Sequence, residues 1–167
     1  GVDYRLRTLE QAELYHYPLD DTAESSLQKS FDSLIPDAAH IEKDVDVEIL
    51  GRNIPAKAIC DDIAWFDFAA LCDGPRSQND YIELGRLYHA VLISDVPQMG
   101  AANDDLGRRF INLIDEFYDR GVKVIMSADA AIPDIYTTGK LEFPFQRTTS
   151  RMLEMQSHDY LAREHKA

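Results

Sequence analysis

The chain has 167 residues, of which 17 are Lys or Arg and 30 are Asp or Glu, so its formal net charge is −13. Apolar residues make up 45% of the sequence, which suits one domain with a buried core and excludes a disordered or collagen-like chain. The excess of carboxylates argues against nucleic-acid binding, because phosphate contacts need a basic surface. It fits a cytoplasmic protein, or a docking face for a basic partner.

The first predicted element of regular structure is a helix. Residues 1–20 are polar and aromatic, and Pro18 marks a break in the chain. A helix is then predicted over 23–34 and stops at Pro36, because three apolar residues recur at helical spacing: Leu27, Phe31 and Leu34.

A division of the chain is predicted after this helix. Residues 37–46 are mostly polar and are the best candidate for a linker. We therefore interpret residues 1–36 as a connecting arm and helix, and residues 41–167 as an α/β domain.

The next block of sequence predicts β-hairpins. Three short β-prone runs are separated by turn residues: VDVEILG at 45–51, IPAKAIC at 54–60 and IAWFDF at 63–68. Short runs of this kind, split by Gly, Asn and Asp, are typical of antiparallel strands joined by tight turns.

Two helix-then-strand units follow the hairpins. The segment 77–80 has the form of a capping box and opens a helix through about Tyr88, which leads into an apolar strand over 90–94. In the second unit, Asn103 begins a helix that Gly121 ends, before the strand VKVIMSA. Its apolar stripe consists of Leu106, Phe110, Leu113, Ile114, Phe117 and Tyr118. Such units predict parallel strands joined by right-handed crossovers.

The predicted fold class is mixed α/β. A last helix is predicted over 146–160, with Met152 and Met155 on one side. The hairpins would feed a small mixed sheet, and the helix–strand units would pack on it.

The sequence lacks the Gly-rich loop with Lys that cradles nucleotide phosphates. Its Gly139-Lys140 pair is followed by Leu141 instead of Ser or Thr. The run FINLIDE at 110–116 is similar to an apolar strand that ends in the acidic residues of a Mg²⁺ site. Its apolar residues, however, recur every 3.6 positions, which favours a helix with Asp115 and Glu116 on its solvated face.

Arg108 and Arg109 lie in the first two turns of the second predicted helix and allow two interpretations. Asp104 and Asp105 precede them by four residues, so each arginine can form an exposed ion pair worth about 0.3–0.5 kcal/mol. Alternatively, one arginine reaches a phosphate held by another part of the protein, because its planar guanidinium stays charged and binds oxygens bidentately.

A second arginine pair allows the same two interpretations. Arg147 and Arg151 are one helical turn apart and lie close to Glu154. A local ion pair is favoured, and contact with a phosphate or with a protein interface is the alternative.

No catalytic residue and no metal site is predicted. Cys72, His89 and Asp95 supply the residue types of a cysteine hydrolase, but nothing in the sequence brings them together. The five histidines show no metal-ligand spacing, and the two cysteines are expected to pack as small apolar side chains in a reducing compartment.

Four long segments resemble the AFG-like AAA ATPases, and most of all the bacterial cell-division members of that family. They are GVDYRLRTLEQAELYHYPLD, RSQNDYIELGRLYHAVLISDVPQM, RRFINLIDEFYDRGVKVIMSA and FQRTTSRMLEMQSHDYL. The resemblance runs from residue 1 to about residue 165. In that family the nucleotide-binding motifs precede the GVDYRLR segment, so the resemblance implies the C-terminal half of an AAA ATPase.

The resemblance also implies roles and partners. DLGRRFINLI is similar to the start of an AAA lid helix, which places the sensor 2 role, contact with the γ-phosphate, on Arg108 with Arg109 next. ATP and Mg²⁺ would be bound only in the intact protein. Its partners would be its own ATPase core, further copies in a homo-oligomer, the tubulin-like division protein and membrane-associated proteins, all in the bacterial cytoplasm.

Two other functions are compatible with the residues. The first is a free-standing acidic interaction module without ATPase activity. The second is a hydrolase that uses Cys72, which thiol alkylation would inactivate.

Overall fold

The fold is built on one six-stranded sheet, seen in a computed structural model that describes residues 2–7, 9–36 and 39–167. The strand order is β1-β6-β5-β4-β3-β2. Strands β4, β5, β6 and β1 are parallel, and β2 and β3 add to β4 as antiparallel strands. The strands are β1 Tyr15–His16, β2 Glu42–Ile49, β3 Arg52–Cys60, β4 Ile63–Asp67, β5 Ala90–Val96 and β6 Lys123–Ala128.

Helices cover both faces of the sheet. Four of them, α4 to α7, contribute to the larger core on one face, and residues of α1, α2, α3 and α8 pack with the opposite face. The helices are α1 Val2–Arg7, α2 Gln11–Leu14, α3 Ala23–Leu34, α4 Phe68–Cys72, α5 Gln78–Leu87, α6 Asp104–Asp119, α7 Glu142–Glu154 and α8 His158–Leu161. Within the described ranges, none of these helices is both long enough and apolar enough to cross a bilayer.

Most of the predicted elements are confirmed. The mixed α/β class, the hairpins, the helix over 23–34 and the parallel pairing of the two helix–strand units all match the structure. The capping box is present, since the Ser77 side chain bonds the third helical residue and Asp80 bonds the Ser77 backbone.

Three sequence predictions are wrong in detail. The predicted linker over 37–46 overlaps β2, which begins at Glu42 and is polar because it forms the exposed edge of the sheet. The predicted last helix is two helices, because the chain turns after Glu154 and Ser157 caps α8 by accepting a hydrogen bond from Tyr160 N. Asn103 is the first residue before α6, but its Oδ1 accepts from Gly100 N and does not cap the helix.

A polar network joins α3 to the centre of the sheet. Trp65 Nε1 donates to Ser94 Oγ at 2.8 Å, and Ser94 Oγ donates to Glu24 Oε1 at 2.8 Å. Glu24 also pairs with Lys57, whose ammonium lies 4.9 Å from the centre of the Trp65 ring. The helix over 23–34 therefore packs on the same sheet as the rest of the chain, while the predicted division into an arm and a domain stays a prediction.

Residues 160–166, near the end of the chain, pack against the turn between α6 and β6. Lys123 is fully buried, and its Nζ donates to Gly121 O at 2.5 Å and to Arg163 O at 2.7 Å. Tyr160 Oη donates to Val122 O at 2.6 Å, and Lys166 N donates to Arg120 O at 2.8 Å. These bonds satisfy the carbonyl groups of Arg120, Gly121 and Val122 in the turn that follows α6, and the carbonyl of Arg163 at the chain end.

This packing predicts a large cost for adding a methyl group at Gly121. Gly121 has a φ of +69°, and a Cβ there would lie 2.4 Å from Glu164 O. Gly51 has a φ of +81° in the β2–β3 turn, but a Cβ there would meet no atom within 4 Å. We expect Gly51→Ala to lower the free energy of unfolding by about 1–2 kcal/mol, and Gly121→Ala by about 1–3 kcal/mol more because of the clash.

Urea unfolding of both variants measures this difference. Equal losses for Gly51→Ala and Gly121→Ala would show that the chain end does not pack against Gly121.

Candidate functional site

The parallel strands bring several functional candidates to one edge of the sheet. Strands β4 and β5 both end there, and the chain that leaves each of them leads into α5 and α6. The N-terminal turns of these two helices therefore begin at the carboxyl edge, where ligands of α/β proteins commonly bind.

Arg109 is held in place by the end of α4. Its Nη1 donates to Cys72 O at 3.1 Å, and Arg76 Nε donates to Ala70 O at 3.1 Å. These carbonyls belong to the last turn of α4, where cations are favourable because the carbonyl dipoles point outward. Two arginines thus cap a five-residue helix, and Arg109 has a structural role whatever else it contacts.

Arg108 is exposed and differs from its neighbour. Within the described ranges it makes no ion pair and no hydrogen bond through its side chain. The two ion pairs considered from the sequence do not form, since Asp104 instead accepts from Tyr136 Oη at 3.2 Å and lies 3.7 Å from Lys140 Nζ. The guanidinium of Arg108 is therefore available to a group outside the part of the chain that the structure describes.

The surroundings of α6 differ from those of an AAA lid helix. Such lids are usually all-helical, whereas α6 is the crossover helix between the parallel strands β5 and β6. The sensor 2 role of Arg108 and Arg109 stays a prediction.

The α7 arginines also differ from each other. Arg151 Nη1 lies 2.6 Å from Asp115 Oδ1 of α6, and its guanidinium lies 4.7 Å from the centre of the Tyr118 ring. The predicted local pair with Glu154 is therefore wrong, because the partner of Arg151 comes from the neighbouring helix. Arg147 is exposed, so it is the more accessible of the two candidates for a phosphate or interface contact.

The FINLIDE segment is helical, as the 3.6 period predicted, and it is not the end of a strand. Its two acidic residues are half-buried instead of fully solvated. Asp115 pairs with Arg151, and Glu116 Oε1 accepts from Gln78 Nε2 at 2.7 Å. Both carboxylates therefore join α6 to neighbouring helices.

The cysteine hydrolase is not supported by the geometry. His89 precedes β5, whereas Asp95 lies near its carboxyl end, so the two flank opposite ends of one strand. Burial raises the pKa of the Cys72 thiol to about 12, and Tyr81 Oη contacts its sulfur at 3.8 Å. Among the residues whose placement is described, no group of His, Cys, Asp and Glu could hold a metal ion.

The structure also reveals a groove that sequence reasoning missed. It surrounds the short 3₁₀ turn Ile132–Asp134 beyond the end of β6 and has its largest section, about 1060 Å³ of open volume, beside Pro133. We call it the carboxyl-edge groove; its main lining residues are Tyr17, Pro18, Asp129, Pro133, Asp134 and Tyr136. The sequence offered only Tyr and Pro residues in two distant segments, and no periodicity places those segments together.

Burial of both thiols predicts that the native chain resists thiol reagents. Both cysteines are buried, and with a pKa of about 12 only about one Cys72 thiol in ten thousand is ionised at pH 8. We expect a disulfide reagent to react with neither thiol while the chain is folded, and with both after urea unfolding. Fast labelling of one thiol in the folded chain would contradict this and revive the nucleophile hypothesis.

Comparison with known proteins reveals relatives over the whole chain. Cell division protein ZapE of Escherichia coli K12 is 43% identical over 167 residues, covering 100% of this chain and 44% of ZapE. Lactation elevated protein 1 homolog B of Danio rerio is 29% identical over 193 aligned positions, covering 96% of this chain and 38% of that protein. The chain thus spans less than half the length of these relatives. No solved structure matches it.

A sequence model of the AFG1-like ATPases matches residues 1–164. The match includes the arginines of α6 and α7 and the whole carboxyl-edge groove. Because it covers nearly the entire chain, this chain belongs to the AFG1-like ATPase family.

Proposed function

We propose that this chain is the C-terminal region of a ZapE-like ATPase and provides nucleotide sensing, subunit packing and partner contact in ATP-driven remodelling during cell division. The observation that carries the nucleotide role is the exposed guanidinium of Arg108, beside an Arg109 that is fixed to α4. Support for the cellular process comes from the similarity to ZapE, a cell division protein.

The arrangement of the two arginines suits a contact with phosphate. Arg109 ties the first turns of α6 to Cys72 O, so the backbone that carries Arg108 is positioned before any ligand arrives. Because its backbone is fixed, the Arg108 guanidinium has fewer positions to sample than it would on a mobile loop. It can then donate two parallel hydrogen bonds to phosphate oxygens held by another part of the protein.

The described residues are proposed to add contacts to a nucleotide site that another part of the protein forms. They contain no cluster of acidic side chains that could hold Mg²⁺, and the sequence has no Gly-rich phosphate loop. ATP and Mg²⁺ would therefore be held by an ATPase core elsewhere in the protein, and this chain would contribute contacts to the phosphate.

We propose the partners that the sequence resemblance implies. They are the ATPase core, further subunits of a homo-oligomer, and the tubulin-like division protein, in the bacterial cytoplasm. Arg147 is exposed on α7 and is the residue we propose for a contact between subunits or with a second phosphate.

The nucleotide role predicts different effects for the two α6 arginines in the full-length ATPase. Arg108→Ala should weaken nucleotide binding or turnover by about 1.5–3 kcal/mol, roughly 10- to 150-fold, because a charged hydrogen bond to phosphate is lost. Its melting temperature should not change, since Arg108 makes no described contact. Arg109→Ala, unlike Arg108→Ala, should lower the melting temperature, because Cys72 O loses its hydrogen-bond donor.

Arg86→Ala is the matched control. Arg86 is an exposed arginine of α5, and its Nη1 lies 3.6 Å from Glu83 Oε2. ATP titration, steady-state hydrolysis and thermal melting measure the three variants. Unchanged nucleotide affinity and turnover in both Arg108→Ala and Arg109→Ala would remove the sensor role.

The location of the nucleotide site predicts the behaviour of the isolated chain. Residues 1–167 alone should give no heat on titration with ATP and Mg²⁺, because the phosphate loop is missing from the sequence. Calorimetry at several chain concentrations tests this. Saturable heat would contradict a phosphate site supplied by another part of the protein.

A further inference from the structure

We infer that the carboxyl-edge groove binds an extended, basic, proline-containing peptide of a partner protein. This inference does not depend on the nucleotide role, because the groove residues and Arg108 are different residues. Three features of the groove support this inference: its shape, the exposed side chains of Tyr17, Pro18 and Pro133, and the sign of its charge.

The groove consists of three neighbouring sections. Its largest section shares Tyr17, Ala131 and Pro133 with a second section that continues towards Leu153 of α7. Pro133 and the 136–137 segment also border a third section that reaches Phe145. All three sections border the exposed Pro133, so an extended peptide that crosses this residue can contact each of them.

The walls of the groove offer rigid apolar surface to a ligand. Tyr17 is 52% exposed, and its ring centre lies 5.9 Å from that of Tyr15, which is buried beneath it. Tyr15 Oη donates to Ala130 O at 2.5 Å and ties the two sides of the groove together. Aromatic and proline side chains give large contact area at a low cost in conformational entropy, and such surfaces recognise polyproline II segments.

The charge of the groove selects a cationic ligand. Asp129, Asp134 and Glu142 line its sections, and no Lys or Arg does. Asp129 uses Oδ2 to accept from Gln98 N at 3.1 Å but stays exposed, and Asp134 is exposed as well. Their charges are therefore not cancelled by a described cation and can attract Lys or Arg.

A peptide of this chemistry fits the groove better than a second copy of the chain. The groove is acidic and so is the chain as a whole, with a net charge of −13, so the acidic surface of a second copy would be repelled at the groove. A basic extended peptide can place proline rings against Tyr17 and Pro133 while its cationic side chains reach Asp129 and Asp134. Proline suits this surface because the extended conformation is already favoured before binding.

Fluorescence anisotropy with synthetic peptides tests the inference on the full chain without nucleotide. A labelled peptide that alternates Pro with Lys and Arg should bind saturably. A peptide with Glu at the basic positions should not bind, and one with Ala in place of Pro should bind about tenfold more weakly. Equal binding of the Pro and Ala peptides, or no saturable binding of the basic Pro peptide, would overturn the inference.

Variants locate the binding surface. Tyr17→Ala and the double variant Asp129→Asn with Asp134→Asn should each weaken binding about tenfold, whereas Tyr17→Phe keeps the ring and should bind normally. The charge control is Asp46→Asn with Glu48→Gln, which removes two exposed carboxylates from the edge strand β2. This control should leave affinity unchanged at physiological salt, where distant charges are screened.

Three outcomes of the variant experiment would contradict the inference. The first is equal weakening by the β2 double variant and the groove double variant, which would indicate non-specific charge attraction. The second is normal affinity in Tyr17→Ala. The third is self-association that Tyr17→Ala abolishes, measured by sedimentation, which would assign the groove to a second copy. Loss of peptide binding would leave the Arg108 experiment unaffected, so the two proposals fail separately.

Discussion

Parallel pairing of β4, β5 and β6 is the constraint on which the rest of the structure depends. In register, Ala64 faces Val91 and Val91 faces Val124, and all three residues are buried. Parallel strands need crossover connections, and strands that are buried on both faces need helices on both sides. Strand β5 is apolar almost throughout for this reason. Because these strands are parallel, the connections that follow β4 and β5 both leave from the carboxyl edge, where Arg108 and the groove lie.

Buried polar groups then fix how the outer elements sit on this sheet. Ser94 is fully buried, yet it accepts from Trp65 and donates to Glu24, so α3 has one hydrogen-bonded position on its face of the sheet. Lys123 fixes the position of the chain end in the same way, because it donates to Gly121 O and Arg163 O. An unpaired polar group at either place would cost about 1–3 kcal/mol, so each network disfavours other packings.

The sequence predicted the local elements well because their signals are local. The capping box at Ser77, the stripe of α6 and the β-prone runs each lie within one stretch of chain, and each was confirmed. What the sequence missed at the candidate sites depended on distant contacts. Arg151 pairs with Asp115, 36 positions earlier, and the carboxyl-edge groove joins residues near Tyr17 to residues near Pro133. No periodicity connects such pairs, since the tertiary fold alone brings them together.

The two candidate sites have opposite charge and share one structural neighbour. The groove is acidic, whereas Arg108 and Arg109 are basic, so a cationic peptide and an anionic phosphate would each be attracted to one and repelled by the other. Tyr136 lines the groove, and its Oη also donates to Asp104 Oδ1 at the start of α6 and accepts from Leu141 N. A phosphate contact that shifted the first turn of α6 would therefore displace a groove wall through Tyr136. Coupling requires that phosphate and peptide each bind one position of α6 more tightly than another; it is positive if both favour the same position, and it acts equally in both directions.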